Sequence, residues 1–485
     1  MLPAAPRVLA GISAGPRHCC WFAMVLICFF AGRAPLYSEV RIIPNEELLA
    51  IGAMDEPLPF ETLIRAAFLA SGANGDELDK YVEKTLGIAD SLDFLTPLDM
   101  ASRGEALLEW MHENLLTRYE ELQTSLMILL EKGTYNCVSS AVLYAFLARG
   151  IGIPIHGVLT KDHAFCHIPA AGGIDVETTT IHGFDAGSRK LARDTFTSRT
   201  GFVYVPAGKQ RRDIGEKEFV SLILQNRVFM LQKSGNWEET VGLSLDRWTL
   251  TRSQAAMEEY RQSVKNYAIY LNGQSRQAQG LLFLNDAAKT LGRNHGLEDI
   301  ASALLGNAVT LSLRKNHIEE ARAILEDDKL NALVLEDFLA ARRKEITRRE
   351  LEAAVQSVKD EPSFRAALAD ADKALAADII DIGRWEELVV FLWTKEARRR
   401  SIGGNWIAGW LFLKTAPEST RAISKWDNLE AAYEYNAIIT YHNRFAAAMK
   451  KGRADRARTI LNEGLGLFPD SSILAADKDL LMERP

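Results

Sequence analysis

Over residues 216–485, apolar side chains recur at helical spacing and few runs read as strands. More than half of the 485-residue chain must therefore be built by packing helix on helix. At about 150 residues per domain the length allows about three domains, with ample core. Hydrophobic residues make up 47% and charged residues 25%, an ordinary globular balance that excludes a disordered or collagen-like chain. The 57 basic residues are outnumbered by 64 acidic ones, a net charge of −7, which argues against a nucleic-acid binder.

Within that region, Asn307–Leu325 aligns without gaps with Asn443–Leu461. Leu313/Met449, Lys315/Lys451, Ala321/Ala457 and Leu325/Leu461 match. The offset equals four periods of about 34 residues, the helix–turn–helix period of the tetratricopeptide repeat. Ile379–Leu392 looks like a third turn, with Gly383 near the place of Asn316 and Gly452. Stacked helix pairs of this kind offer a groove for a protein partner. An ordinary helical bundle is the other reading.

Residues 1–38 differ in kind. They hold no acid, carry Arg7 and Arg17, and contain the apolar run Cys19–Ala31. About 13 apolar residues is short for a membrane span and suits the core of a signal peptide. The expectation is export to the periplasm or cell envelope. Membrane association follows only if the segment stays uncleaved as an anchor. Of five cysteines, Cys137 and Cys166 remain after cleavage. They could pair in an oxidising compartment.

Residues 39–104 read as a helical cap with no residue that calls for chemistry. Residues 105–205 read as α+β: helices Glu105–Leu116 and Ser139–Gly150, then short strands in IPIHGVLT, HAFCHI and GIDVETT.

The candidate chemistry lies in residues 133–180. Cys137 directly precedes the apolar helix, where the macrodipole favours a thiolate. His163 opens one strand and Asp175 lies on the next. If a turn at Pro169–Gly173 pairs those strands, His163 and Asp175 become neighbours, and Cys137 meets His163 from the helix side. Thiolate, imidazole and orienting carboxylate then form a nucleophilic constellation. Glu177 shares the strand face of Asp175 and is the alternative acid. Tyr119, Gln123 and Tyr135 are candidate side-chain donors to an oxyanion. A core role for Cys166, and a metal site from His163, His167, Asp175 and His182, are the other readings. No HExxH motif is present.

Gly133 and Cys137, the following apolar helix, Gly152-Ile153-Pro154, His163-Ala164-Phe165 and Asp175 in DVETT together resemble the transglutaminase-like superfamily. The resemblance spans roughly residues 105–205. It implies an α+β transglutaminase-like (papain-like) domain, followed by an all-α helical-repeat region. It also implies thiol-dependent acyl transfer on a protein or peptide substrate, with hydrolysis more usual than transamidation. No cofactor and no metal are implied. The order of elements is also similar to a bacterial branch that joins such a domain to tetratricopeptide repeats. Many members of that branch lack the nucleophile, so an inert scaffold that binds a protein partner is the competing expectation.

Overall fold

The computed structural model describes residues 40–161, 163–169, 172–201, 211–293 and 296–482. The expected leader, residues 1–38, lies outside them. The chain divides into two compact units, one ending at Thr251 and one beginning at Arg252. Among the described residues, no helix is long and apolar enough to cross a membrane.

The first unit is organised by the helix Cys137–Gly150, whose residues are buried from Val138 to Ala148. A helix apolar on all sides needs cover on all sides. The strand Ala164–Ile168 covers one side. Helices Phe60–Ser71, Gly75–Ser91, Met100–Asn114 and Glu216–Ser234 cover the others. Phe68, Tyr81, Leu108, Phe146, Leu147, Phe219 and Ile223 accordingly belong to one core. Residues 40–104 thus contribute helices to this core. The helices Glu216–Ser234 and Trp237–Thr251 belong to the first unit, so the division falls after the expected boundary at residue 216.

Four short strands form one antiparallel sheet in the order Ile174–Val176, Ala164–Ile168, His156–Leu159, Arg212–Ile214. A two-residue parallel ladder joins Arg118–Tyr119 to Thr134–Tyr135. Gly133 ends the helix Leu126–Lys132 at φ +67°. A Cβ there would lie 2.3 Å from the Thr117 hydroxyl, so this glycine lets the chain turn from helix into ladder three residues before Cys137's cap, Asn136.

In the second unit, helical hairpins turn on single left-handed residues: Ser275, Asn316, Asp378 and Gly452. Each turn closes on the same bond, from an N–H to the carbonyl five residues earlier. Arg276, His317 and Ile379 donate their N–H to Leu271, Ser312 and Ala374 carbonyls at 2.9 Å, and Arg453 donates to Ala448 at 3.0 Å. The two aligned segments each straddle one such turn. Gly383 does not occupy the third; Asp378 does, and Gly383 lies inside the helix Ile382–Arg400. The hairpin helices run from 9 residues in Ile318–Glu326 to 25 in Trp426–Lys450. No fixed 34-residue period survives such unequal lengths. Trp393, Trp410, Trp426, Phe412 and Phe445 fill the core of this unit.

The architecture therefore corrects the expectation of an α+β papain-like domain followed by a repeat array. Among the described residues the structure is mostly helical, with 72% helix and 5% strand. The strands expected in 105–205 form, but each is only three to five residues long. They cover one side of a core that helices close elsewhere.

Candidate active site

Cys137 is the first residue of its helix, held there by a reciprocal cap. The Asn136 side chain accepts from the Ser139 N–H at 3.0 Å, and the Ser139 hydroxyl accepts from the Asn136 N–H at 2.9 Å. The N–H groups of Cys137 and Val138 have no hydrogen-bond partner among the described residues. Cys137 is half-buried and sits in the wall of a cavity of about 350 Å³.

His163 lines the same cavity. Its Nε2 lies 2.5 Å from a carboxylate oxygen of Glu177, with the carboxylate wholly buried. His163 also interacts with Cys137 by charge and hydrogen bond. Burial opposes charge on the imidazole, but Glu177 and Cys137 override it and carry the pKa up to about 10. The ring packs against Phe196 with centroids 4.6 Å apart, which fixes its plane.

Glu177 is held as tightly as the histidine. Its second oxygen accepts from the Thr179 hydroxyl at 2.9 Å and the Thr179 N–H at 3.2 Å. The buried turn Glu177–Thr180 is fastened to the cysteine's helix, because the Thr178 and Ser140 hydroxyls lie 2.8 Å apart. His112 Nε2 donates to the Thr178 carbonyl at 3.2 Å. Burial drives the His112 pKa down to about 4, so that ring stays neutral near pH 7 and keeps its donor role. Thr178, Ser140 and His112 escaped the sequence reading. The only signal was a run of three threonines after an acid.

Gly183 closes this turn. The Glu177 N–H donates to the Gly183 carbonyl at 2.9 Å, and a Cβ on Gly183 would lie 1.8 Å from the Glu177 carbonyl oxygen. Gly183→Ala must displace the backbone of Glu177. The expected cost is about 1–3 kcal/mol, together with slower alkylation of Cys137. Labelling of buried Cys166 during urea unfolding would measure the first, and iodoacetamide kinetics the second.

Asp175 is not the acid on His163. The strand register sets Asp175 opposite His167, which places Glu177 a diagonal step from His163 on the same face. Asp175 instead accepts from His167 Nδ1 at 2.7 Å and from Arg211 at 2.6 and 2.7 Å. Of the oxyanion candidates, Tyr119 lines the cavity beside Cys137. Its hydroxyl has no hydrogen-bond partner among the described residues, and burial, then the Cys137 charge, push its pKa well up. Gln123 is committed elsewhere, donating to the Ser125 and Thr134 carbonyls and accepting from the Ser125 N–H. Tyr135 is fully buried and donates to the Thr179 carbonyl at 3.2 Å. It supports the acid-bearing turn instead of facing the cavity.

Cys137 and Cys166 are both free thiols. Cys166 is fully buried and donates to the Ala141 carbonyl at 3.2 Å. His163 and His167 bind different acids, so the four-ligand metal set is not brought together. Among the described residues no cluster of His, Cys, Asp and Glu could hold a metal ion.

Comparison with known protein families finds no matching family model, and comparisons with curated proteins and with solved structures return no match.

Proposed function

We propose that this chain is a thiol-dependent acyl-transfer enzyme that hydrolyses peptide or amide bonds. The observation that carries the reading is the line Cys137–His163–Glu177, open to the cavity at its cysteine end and buried at its acid end. The cysteine sulfur forms a bond to the substrate carbonyl carbon, and the resulting oxyanion is met by the Cys137 N–H and the Tyr119 hydroxyl. His163 delivers its Nδ1 proton to the nitrogen as the C–N bond breaks, and the amine departs. Water, deprotonated by the same imidazole, then attacks the thioester and releases a carboxylic acid and the thiol. An amine taking the place of water would give transamidation. Glu177 orients the imidazole throughout and favours its protonated form before the leaving nitrogen takes the proton and again after water gives one up.

The order of cysteine, histidine and acid is similar to that of transglutaminase-like proteins, which supports the activity independently of fold. A protein or peptide is the substrate in this reading, with the second unit's helical hairpins serving as a surface for a protein partner. The leader-like composition of residues 1–38 supports export to the periplasm or cell envelope. An inert scaffold would have no use for a buried ion pair aimed at a half-exposed thiol.

An activated ester provides the test. With 4-nitrophenyl acetate, the chain is expected to give a burst of nitrophenolate and an acetyl adduct on Cys137. The burst should be absent in Cys137→Ala. In Tyr119→Phe, acylation is expected to slow about 100-fold, as for loss of one oxyanion donor. A burst of equal size and rate in His163→Ala would overturn the reading.

A further inference from the structure

The cavity above Cys137 continues along one face of the helix Glu216–Ser234. Leu222, Gln225, Asn226, Phe229 and Met230 line it, at spacings that place them on a single helical stripe. From Leu222 to Met230 the stripe runs roughly 12 Å at about 1.5 Å per residue. An extended peptide covers that span in about four residues. Phe229 and Met230 are 55% and 38% exposed, and Leu122 on the facing turn is 49% exposed. Three large apolar side chains exposed around one cavity are an unusual concentration for a protein surface.

Polar groups alternate with this apolar surface. Among the described residues, the Asn226 amide has only a 3.4 Å contact with the Thr124 hydroxyl. Gln225 lines the cavity; its carbonyl oxygen accepts from Arg247, and its amide nitrogen has no hydrogen-bond partner among the described residues. The N–H groups of Glu121 and Leu122 have no hydrogen-bond partner among the described residues. A hydrocarbon chain would satisfy none of these donors, whereas a peptide backbone offers a carbonyl to each.

We propose that the acyl donor is an extended polypeptide segment that lies along this stripe, with a bulky apolar side chain against Phe229 and Met230. Its backbone carbonyls accept from the Gln225 and Asn226 amides and the Glu121 and Leu122 N–H groups. This rests on Cys137 acting as the nucleophile of the proposed acyl transfer.

The test uses the full chain and four-residue peptidyl chloromethyl ketones, which alkylate a thiol without needing turnover. Phenylalanine is placed at each position of an otherwise all-glycine probe, and adduct formation at Cys137 is followed by mass spectrometry. At one position, phenylalanine is expected to raise the rate at least tenfold over the all-glycine probe. In Phe229→Ser/Met230→Ser, the ratio of the two rates is expected to fall to near one. An equal rate at every position, or a ratio that survives in the double variant, would overturn the apolar seat. An alkyl chloromethyl ketone of similar size that reacts as fast as the best peptide would overturn the polypeptide assignment. Iodoacetamide separates this from failure of the underlying reading. If iodoacetamide labels Cys137 slowly and independently of His163, the nucleophile itself fails and this inference falls with it. Rapid His163-dependent labelling without peptide selectivity overturns the substrate class alone.

Discussion

Glu177→Ala is expected to destabilise the first unit by about 3–5 kcal/mol, the loss that follows when one partner of a buried ion pair is removed. The carboxylate is wholly buried and the imidazole nearly so, so neither group can turn to water when its partner is lost. The readout is the urea dependence of Cys166 labelling, because Cys166 is fully buried in the same core and becomes reactive only when that core opens. Glu177→Gln keeps the shape and a hydrogen bond but removes the charge, and it is expected to slow alkylation of Cys137 about tenfold. Asp175→Asn is expected to leave that rate within about twofold, since Asp175 serves His167 and Arg211. Slower alkylation in Asp175→Asn than in Glu177→Gln would return the orienting role to Asp175.

His163→Ala is expected to slow alkylation of Cys137 by about 100-fold near pH 7, the scale of a positioned acid–base group. The same residue sets a pH dependence of stability. Its pKa rises from the ordinary histidine value to about 10 in the folded chain. The folded state therefore binds the proton more tightly than the unfolded state. The stabilisation is present in full below about pH 6.5 and is lost as pH rises through 10. Urea midpoints of the first unit are expected to fall across that window, and His163→Gln should flatten the slope. A wild-type midpoint independent of pH from 6.5 to 10 would contradict the charged state assigned to the imidazole.

Much of this site was legible because its chemistry is local in sequence. A cysteine before an apolar helix and a histidine opening a strand are both visible in the residue order. The choice between Asp175 and Glu177 was not, because it depends on register. The register of the two strands sets His167 opposite Asp175, and one residue of slip would exchange which side chains share a face. Tyr119, Gln123 and Tyr135 look alike as donors until the backbone groups they satisfy are known. Gln123 is taken by the loop around Ser125, and Tyr135 by Thr179.

The fold was less legible. Helical periodicity identifies Phe60–Ser71 and Glu216–Ser234 as amphipathic or apolar helices, but not that both pack on the cysteine's helix. That placement comes from long-range packing, which no periodicity encodes. It explains why the segments before 105 and after 215 join one core. The repeat reading failed for a related reason. Asn307–Leu325 and Asn443–Leu461 do share a helix–turn–helix with a left-handed residue at the turn. Helix length is set by what each hairpin must cover, and it differs from one hairpin to the next.

The most direct measurement is the pH dependence of iodoacetamide alkylation at Cys137, resolved by mass spectrometry, in the wild-type chain and in His163→Ala. The account predicts that loss of His163 slows labelling of Cys137 about 100-fold near neutral pH, while Cys166 stays unlabelled in the folded protein. Labelling of Cys137 at the same rate in the wild-type chain and in His163→Ala at every pH would contradict it.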